Sequence, residues 1–372
     1  MTQTIKSINR VDIFLVRLPL VQPFTTSFGT ETHKEALLIK ISADECYGWG
    51  ECVASPAPYY SYETNQTALL IMKNFLIPIL NAQQDFSMKD VQVQFTRIRG
   101  HHMAKAAVEN ALLDILARKH NRPLHSIING NPQKIRSGIS IGIKDNPKEL
   151  LESIQQAVQR KYHRVKVKIK KGRDIDVLKT IRKTFPVINL MADANADYSI
   201  GDLALLKRLD EFNLMMIEQP LEYDDIYFHS LVQKELRTPI CLDESIKNLN
   251  DAKVAIKLNS CRIINIKQGR VGGILAARAI QDYCLKNGVD CWSGGMLETG
   301  VGRAFNIHLQ TLPGFTLPGD TSETSRYFAE DIVDQPVVLD EDGFIDIPSG
   351  PGIGVEVIPK KLKKFTIYSE QI

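Results

Sequence analysis

Five charged residues stand at nearly equal intervals through the middle of this chain: Lys168, Asp193, Glu218, Asp243 and Lys267, separated by 25, 25, 25 and 24 residues. Each closes a short apolar run, in KVK, LMAD, MMIE, ICLD and INIK. These runs belong to a longer series of eight: RSGISIGI, HRVKVKI, VINLMAD, LMMIEQP, PICLDE, CRIINIK, VDCWSGG and GFTLPGD. Runs of this length and composition read as buried strands, and most are separated by 10 to 15 residues of helical periodicity, as in PKELLESIQQAVQR and GILAARAIQDYCLKNG. A repeating strand–helix unit predicts an α/β fold, a (β/α)8-type (TIM-like) barrel over 131–325.

In a parallel barrel the C-terminal strand ends gather at one mouth, so the five side chains converge. The stretch RVKVKIKKG at 164–172 fits this placement. In a strand, Val165, Val167 and Ile169 face the outer helices while Lys166, Lys168 and Lys170 face the mouth. Taken alone, the lysine run fits a solvated edge strand, or a basic module binding nucleic acid through 161–173. The net charge of +3, from 46 basic and 43 acidic residues, gives no global support for that partner. We expect no nucleic acid.

Three carboxylates at adjacent strand ends repel one another without a cation between them, and Asp and Glu oxygens suit a hard divalent ion. Mg²⁺ is the natural candidate, with Mn²⁺ as a substitute. Singly, Asp193 or Asp243 serves equally well as a helix cap; five charges at one spacing do not reduce to caps. A metal held by Asp193, Glu218 and Asp243 binds a substrate carboxylate and stabilises the enolate left when an α-proton departs. A lysine takes that proton only when neutral, and Lys166, two residues before Lys168 on the same face, is placed to lower its pKa. Lys267 comes from across the barrel. Two opposed acid/base groups permit racemisation, and one suffices for syn elimination.

The flanking segments have a different grammar. Residues 9–42 read as antiparallel strands and 62–128 as mainly helical, which predicts an α+β capping domain over 1–130. The segment 326–372 lacks the barrel rhythm and is expected to return to that cap. Six cysteines form no CxxC pair and lie in apolar stretches, as expected of reduced thiols. The N-terminus has no uninterrupted apolar core, and ALLIMKNFLIPIL at 68–80 is short and broken by Lys73, Asn74 and Pro78. A soluble, cytoplasmic protein without a membrane partner is expected, and exposed barrel faces favour a homo-oligomer. GRVGG at 269–273 reads as a strand-to-helix turn. GPGIG at 350–354 imitates a dinucleotide motif but runs into VEVIP, read as a strand.

The motifs PFTTSFGT (23–30), GWGECVA (48–54), KVK, ADAN (192–195), IEQPL (217–221), CLDES (241–245), NIKQGRVGG (265–273), GGMLETGVGR (294–303) and FTLPGDTS (315–322) are ordered along most of the chain. With them the sequence resembles the enolase superfamily, and within it the o-succinylbenzoate synthase / N-succinylamino acid racemase family. A lysine base with Mg²⁺ is a general pattern of that superfamily. The resemblance implies that Lys168 is the general base and later acid, Lys267 the opposing lysine, and Asp193, Glu218 and Asp243 the metal ligands, with Asn195 and Glu244 beside them. It further implies that Ser140, Gly295, Met296 and Leu297 line the substrate pocket. Phe24 and Tyr60 would close over it on loops near 21–31 and 52–63. Arg270 matches the arginine that accompanies racemase capability. Gln268 stands where the family motif commonly has Pro, and Ser55 where some members carry Met, which bears on side-chain preference. The implied reaction is Mg²⁺-dependent syn dehydration of 2-succinyl-6-hydroxy-2,4-cyclohexadiene-1-carboxylate to o-succinylbenzoate, in menaquinone synthesis. Racemisation of N-succinylamino acids by the same two lysines is the alternative, and either substrate is a small carboxylate.

Overall fold

Seven of the eight apolar runs form strands in the computed structural model, which describes residues 4–26 and 29–372. Ser27 and Phe28, inside PFTTSFGT and the loop expected near 21–31, lie outside the described residues. The seven strands are Gly138–Ile141, Arg164–Lys168, Leu190–Asp193, Ile217–Glu218, Ile240–Leu242, Ile263–Ile266 and Asp290–Ser293, all parallel and paired in chain order. The eighth run differs. GFTLPGD makes isolated bridges only, Phe315 with Cys291 and Gly319 with Ser137, which join the seventh strand to the first and close the barrel. Pro318 has no N–H to give to a ladder, so regular pairing breaks there.

The helices between strands bury one stripe each. Pro147–Gln159 starts at Asn146, whose side chain accepts from Lys148 N, and buries Leu150, Ile154 and Ala157. Val165, Val167 and Ile169 pack with these residues in one core cluster. The opposite parity of that strand places Arg164 and Lys166 inside the barrel, both buried. Lys170 departs from the expectation. The strand ends at Lys168, alternation ends with it, and Lys170 is solvent-exposed. On the neighbouring strand Gly138 is opposite Arg164, and a Cβ there would strike the guanidinium.

The cap is a four-stranded antiparallel sheet in the order Thr366–Gln371, Ile8–Thr26, Gly29–Ala43, Cys46–Cys52. Its outermost strand is the C-terminal end of the chain, pairing with Ile8–Thr26. The helix His102–Lys119 is buried from Met103 to Ala117, because it lies between this sheet and the barrel. On the barrel side Asn110 Nδ2 donates to Gln268 Oε1 at 2.7 Å, and Leu275 N donates to Glu109 Oε1 at 2.9 Å. Gln268, the departure from the family motif, is thus part of the cap–barrel contact. VEVIP is not a strand; only Val357 bridges, to Val333. All six cysteines are free. Among the described residues no helix is long and apolar enough to cross a membrane.

On the sheet side the helix approaches so closely that a Cβ at Gly50 would collide with the Ala107 carbonyl. Gly50→Ala is expected to destabilise the protein by about 1–3 kcal/mol through overpacking. The measurement is the urea unfolding midpoint, with Gly201→Ala, where a Cβ meets only Ser199 Oγ at 3.5 Å, as the neutral control.

Candidate active site

The second barrel strand sends three cations inward in succession. Arg164, deepest, lies 4.7 Å above the Trp292 ring and pairs with Asp320. Lys166 is 4.9 Å from the same ring and reaches three carboxylates: Asp320 at 2.6 Å, Glu218 at 3.1 Å and Asp193 at 3.3 Å. Burial disfavours its charge, but Asp320, Glu218 and Asp193 together outweigh burial and hold Lys166 well above the usual lysine range. Lys168, at the strand end, donates to Asp193 Oδ2 at 2.6 Å and Asn195 Oδ1 at 2.5 Å. Register explains the first contact, since Lys168 is directly opposite Asp193, and Asp193 in turn opposite Glu218.

The other wall is built on Asp243. Lys267 Nζ donates to Asp243 Oδ2 at 2.8 Å and to Tyr60 Oη at 3.1 Å. Arg270 pairs with Asp243 through Nη1, which also donates to Tyr60 Oη at 3.0 Å. Burial opposes the Lys267 charge, yet Asp243 and the Tyr60 oxygen raise its pKa above the ordinary value. Burial pushes the Tyr60 phenol up to about 12, so it stays protonated. Tyr60 therefore ties the cap loop to the sixth barrel strand. Leu297, beside this wall, sits at φ 56°, and Asn195 and Gln219 are also left-handed, backbone strain of the kind that collects at functional sites.

Ser140, Phe24, Lys168, Lys267, Gly295 and Leu297 line one inner cavity, with Lys166 in its wall. An outer cavity of about 410 Å³ shares Phe24 and both lysines and adds Ser55, Tyr60, Met296 and Asn195. Asp193, Glu218 and Asp243 line neither; they are buried behind the lysines. Glu244 and Arg270 lie under Tyr60 in a small neighbouring recess. Among the described residues no three His, Cys, Asp or Glu side chains surround a common point, because each of the three carboxylates is drawn to a lysine or arginine.

The donor set nevertheless fits a hard divalent cation. Burial and the negative charge of Asp193 push the Glu218 carboxyl well above its usual range, against the opposing pull of Lys166, so its charged form lacks the compensation that a cation would give. Burial and Asp243 raise Glu244 to about 7, and its Oε2 is buried with no hydrogen-bond partner. A cation there would satisfy that oxygen and offset the repulsion between the neighbouring carboxylates.

Two family models match the chain: "Mandelate racemase / muconate lactonizing enzyme, N-terminal domain" over residues 9–129 and "Enolase C-terminal domain-like" over 149–361. The chain belongs to the enolase superfamily. Within it, the chain belongs to the o-succinylbenzoate synthase / N-succinylamino acid racemase family. It is 46% identical over 356 residues to an o-succinylbenzoate synthase of Geobacillus kaustophilus, covering 95% of each chain. It is 43% identical over 357 residues to an N-succinylamino acid racemase of Amycolatopsis sp, covering 96% of each. A solved enolase-superfamily structure from Listeria innocua superposes with a TM-score of 0.95 at 42% identity, covering 99% of each chain.

Sequence reasoning missed three parts of this candidate site: Arg164, Trp292 as the floor under two cations, and Asp320. Arg164 was legible as the same strand face as Lys166, and Asp320 as the charged end of the eighth run. Asp320 broke the 25-residue rhythm and so escaped it. Burial opposes the Asp320 charge, but Arg164 and Lys166 hold it below the usual carboxylate range. Removing one partner of a buried ion pair costs about 3–5 kcal/mol. Asp320→Ala is expected to lose stability on that scale by urea unfolding, and a loss under about 1 kcal/mol would contradict this charge balance.

Proposed function

We propose that this chain is a Mg²⁺-dependent o-succinylbenzoate synthase, removing water from 2-succinyl-6-hydroxy-2,4-cyclohexadiene-1-carboxylate. The observation that carries the reading is geometric: Lys168 and Lys267, from strands two and six, both reach one cavity with three buried carboxylates behind them. Asp193, Glu218 and Asp243 would hold the ion, which when bound supplies a Lewis acid for the substrate carboxylate and the charge that develops on it.

Lys168 Nζ takes the proton from the ring carbon bearing the carboxylate. The Lys267 ammonium, fixed by Asp243 and Tyr60, stabilises the dienolate charge from the other side. The protonated Lys168 then returns its proton to the departing hydroxyl on the same face, and water leaves as the ring becomes aromatic. Asn195, which accepts from Lys168 and donates to Glu244 Oε1 at 3.0 Å, keeps the base aimed. The Phe24 and Tyr60 side chains shield this exchange from bulk water.

Racemisation of N-succinylamino acids is the second reading, favoured by the placement of the two lysines on opposite walls of one cavity. Proton removal by one lysine and return by the other inverts the α-carbon. The proposal extends to a cytoplasmic homo-oligomer; helix Tyr227–Glu235 exposes Tyr227, Phe228 and Leu231 as an apolar surface for association.

Purified protein with Mg²⁺ is expected to form o-succinylbenzoate, followed by ultraviolet absorbance. EDTA should abolish turnover, and Mg²⁺ or Mn²⁺ restore it. Lys168→Ala is expected to lower kcat by at least about 10²–10⁴-fold. No turnover by folded, Mg²⁺-loaded wild type would sink the dehydratase reading. For the racemase reading, wild type in D₂O should exchange the α-hydrogen of both N-succinylamino acid enantiomers, and Lys267→Ala that of one.

A further inference from the structure

Arg303 ends the GGMLETGVGR motif and stands on the helix Gly300–Leu309 that follows the seventh strand. It is 4% exposed and lines the inner cavity with Ser140, Lys168 and Lys267. Its Nε donates to Glu298 O at 3.0 Å and its Nη1 to Ser322 O at 3.0 Å. Above it the Tyr327 ring lies 5.0 Å from the guanidinium carbon, and Phe24 meets that ring edge-on at 6.2 Å.

The other cations in this region each have a carboxylate: Arg164 and Lys166 have Asp320, Lys168 has Asp193, and Lys267 and Arg270 have Asp243. Among the described residues Arg303 has no carboxylate within 4.0 Å. The acid nearest in sequence, Glu298, uses its oxygens to accept from Met296 N and Asn306 Nδ2, both at 2.9 Å. A buried charge without a counter-charge is expensive, and two carbonyl contacts do not neutralise it. Among the described residues Lys34, in the outer cavity wall, also has no carboxylate within 4.0 Å. Its strand neighbours Glu31 and Glu35 line the same outer cavity, which makes that wall mixed in sign.

We propose that Arg303 anchors the second carboxylate of a dicarboxylate substrate, the one remote from the reacting carbon. This rests on the function proposed above, in which both candidate substrates carry a succinyl acid. With Nε and one Nη1 hydrogen committed to carbonyls, the Nη1–Nη2 edge remains to take a carboxylate in a forked contact. Aromatic rings over the guanidinium exclude water and strengthen that contact. The backbone contacts to Glu298 and Ser322 hold the fork still, so little side-chain order is lost on binding.

The test compares o-succinylbenzoate with its amide at the succinyl end, a neutral ligand of nearly the same shape, by calorimetric titration of the Mg²⁺-loaded full chain. Wild type is expected to bind the acid on the order of 10–100-fold more tightly than the amide. In Arg303→Gln that ratio falls to within about twofold, while binding of the amide changes little; Arg303→Lys, which keeps charge without the fork, retains part of the ratio. Circular dichroism checks the fold, and if Arg303→Gln does not fold, the reduced ratio of Arg303→Lys is the reading. Equal weakening of both ligands, or an unchanged ratio, overturns the anchor and leaves Arg303 as a staple for two loops. Collapse of the ratio in Lys34→Gln and not in Arg303→Gln overturns it in favour of the outer cavity. A wild type that neither makes nor binds o-succinylbenzoate overturns the dehydratase reading and this proposal together, whereas an active wild type with an unchanged variant ratio overturns this proposal alone.

Discussion

One buried ammonium, Lys166, touches Asp193, Glu218 and Asp320, and thereby joins the second, third, fourth and eighth barrel segments beneath the inner cavity. Its position is possible only because those carboxylates are there, and theirs only because it is. Each charge alone in that interior would carry a large desolvation penalty, and together they reduce it to a packing problem. Trp292 supplies the floor, offering its ring face to both Arg164 and Lys166. The polar centre of the barrel is thus a charge lattice whose geometry follows from strand register, with in-register neighbours Lys168, Asp193 and Glu218 as its repeating element.

The two lysines that face the cavity are held differently. Among the described residues Lys168 is aimed from the third strand and the turn after it, through Asp193 and Asn195. Lys267 is aimed partly by the cap, through Tyr60, and Arg270 shares the same phenol. The cap helix meanwhile docks on the sixth βα turn through Asn110 and Gln268, one residue after Lys267. Cap position and the posture of Lys267 are therefore mechanically linked. This gives a physical route by which cap residues bear on the orientation of Lys267 in the cavity.

Much of this was legible in the chain. Strand rhythm predicted the barrel because βα units have a narrow length, and charged strand ends predicted the mouth because parallel strands all end there. Fold, candidate lysines and carboxylates came from those regularities. What escaped was irregular. The eighth segment carries a Pro-Gly pair that breaks its ladder, and with it Asp320 slipped out of register with the count. Lys170 was over-read because alternation says nothing about where a strand stops. Seven of the candidate residues line the inner cavity, while Asp193, Glu218 and Asp243 stand behind it, a layering that no linear pattern encodes.

The sequence by itself determined which side chains occupy which face, since a strand's period of two and a βα unit's length are local properties of the chain. Only the tertiary structure decided how those charges pair. Pairing depends on distances between segments up to 156 residues apart, as between Arg164 and Asp320, and on burial, which turns a solvated lysine row into an interior that must balance charge by charge.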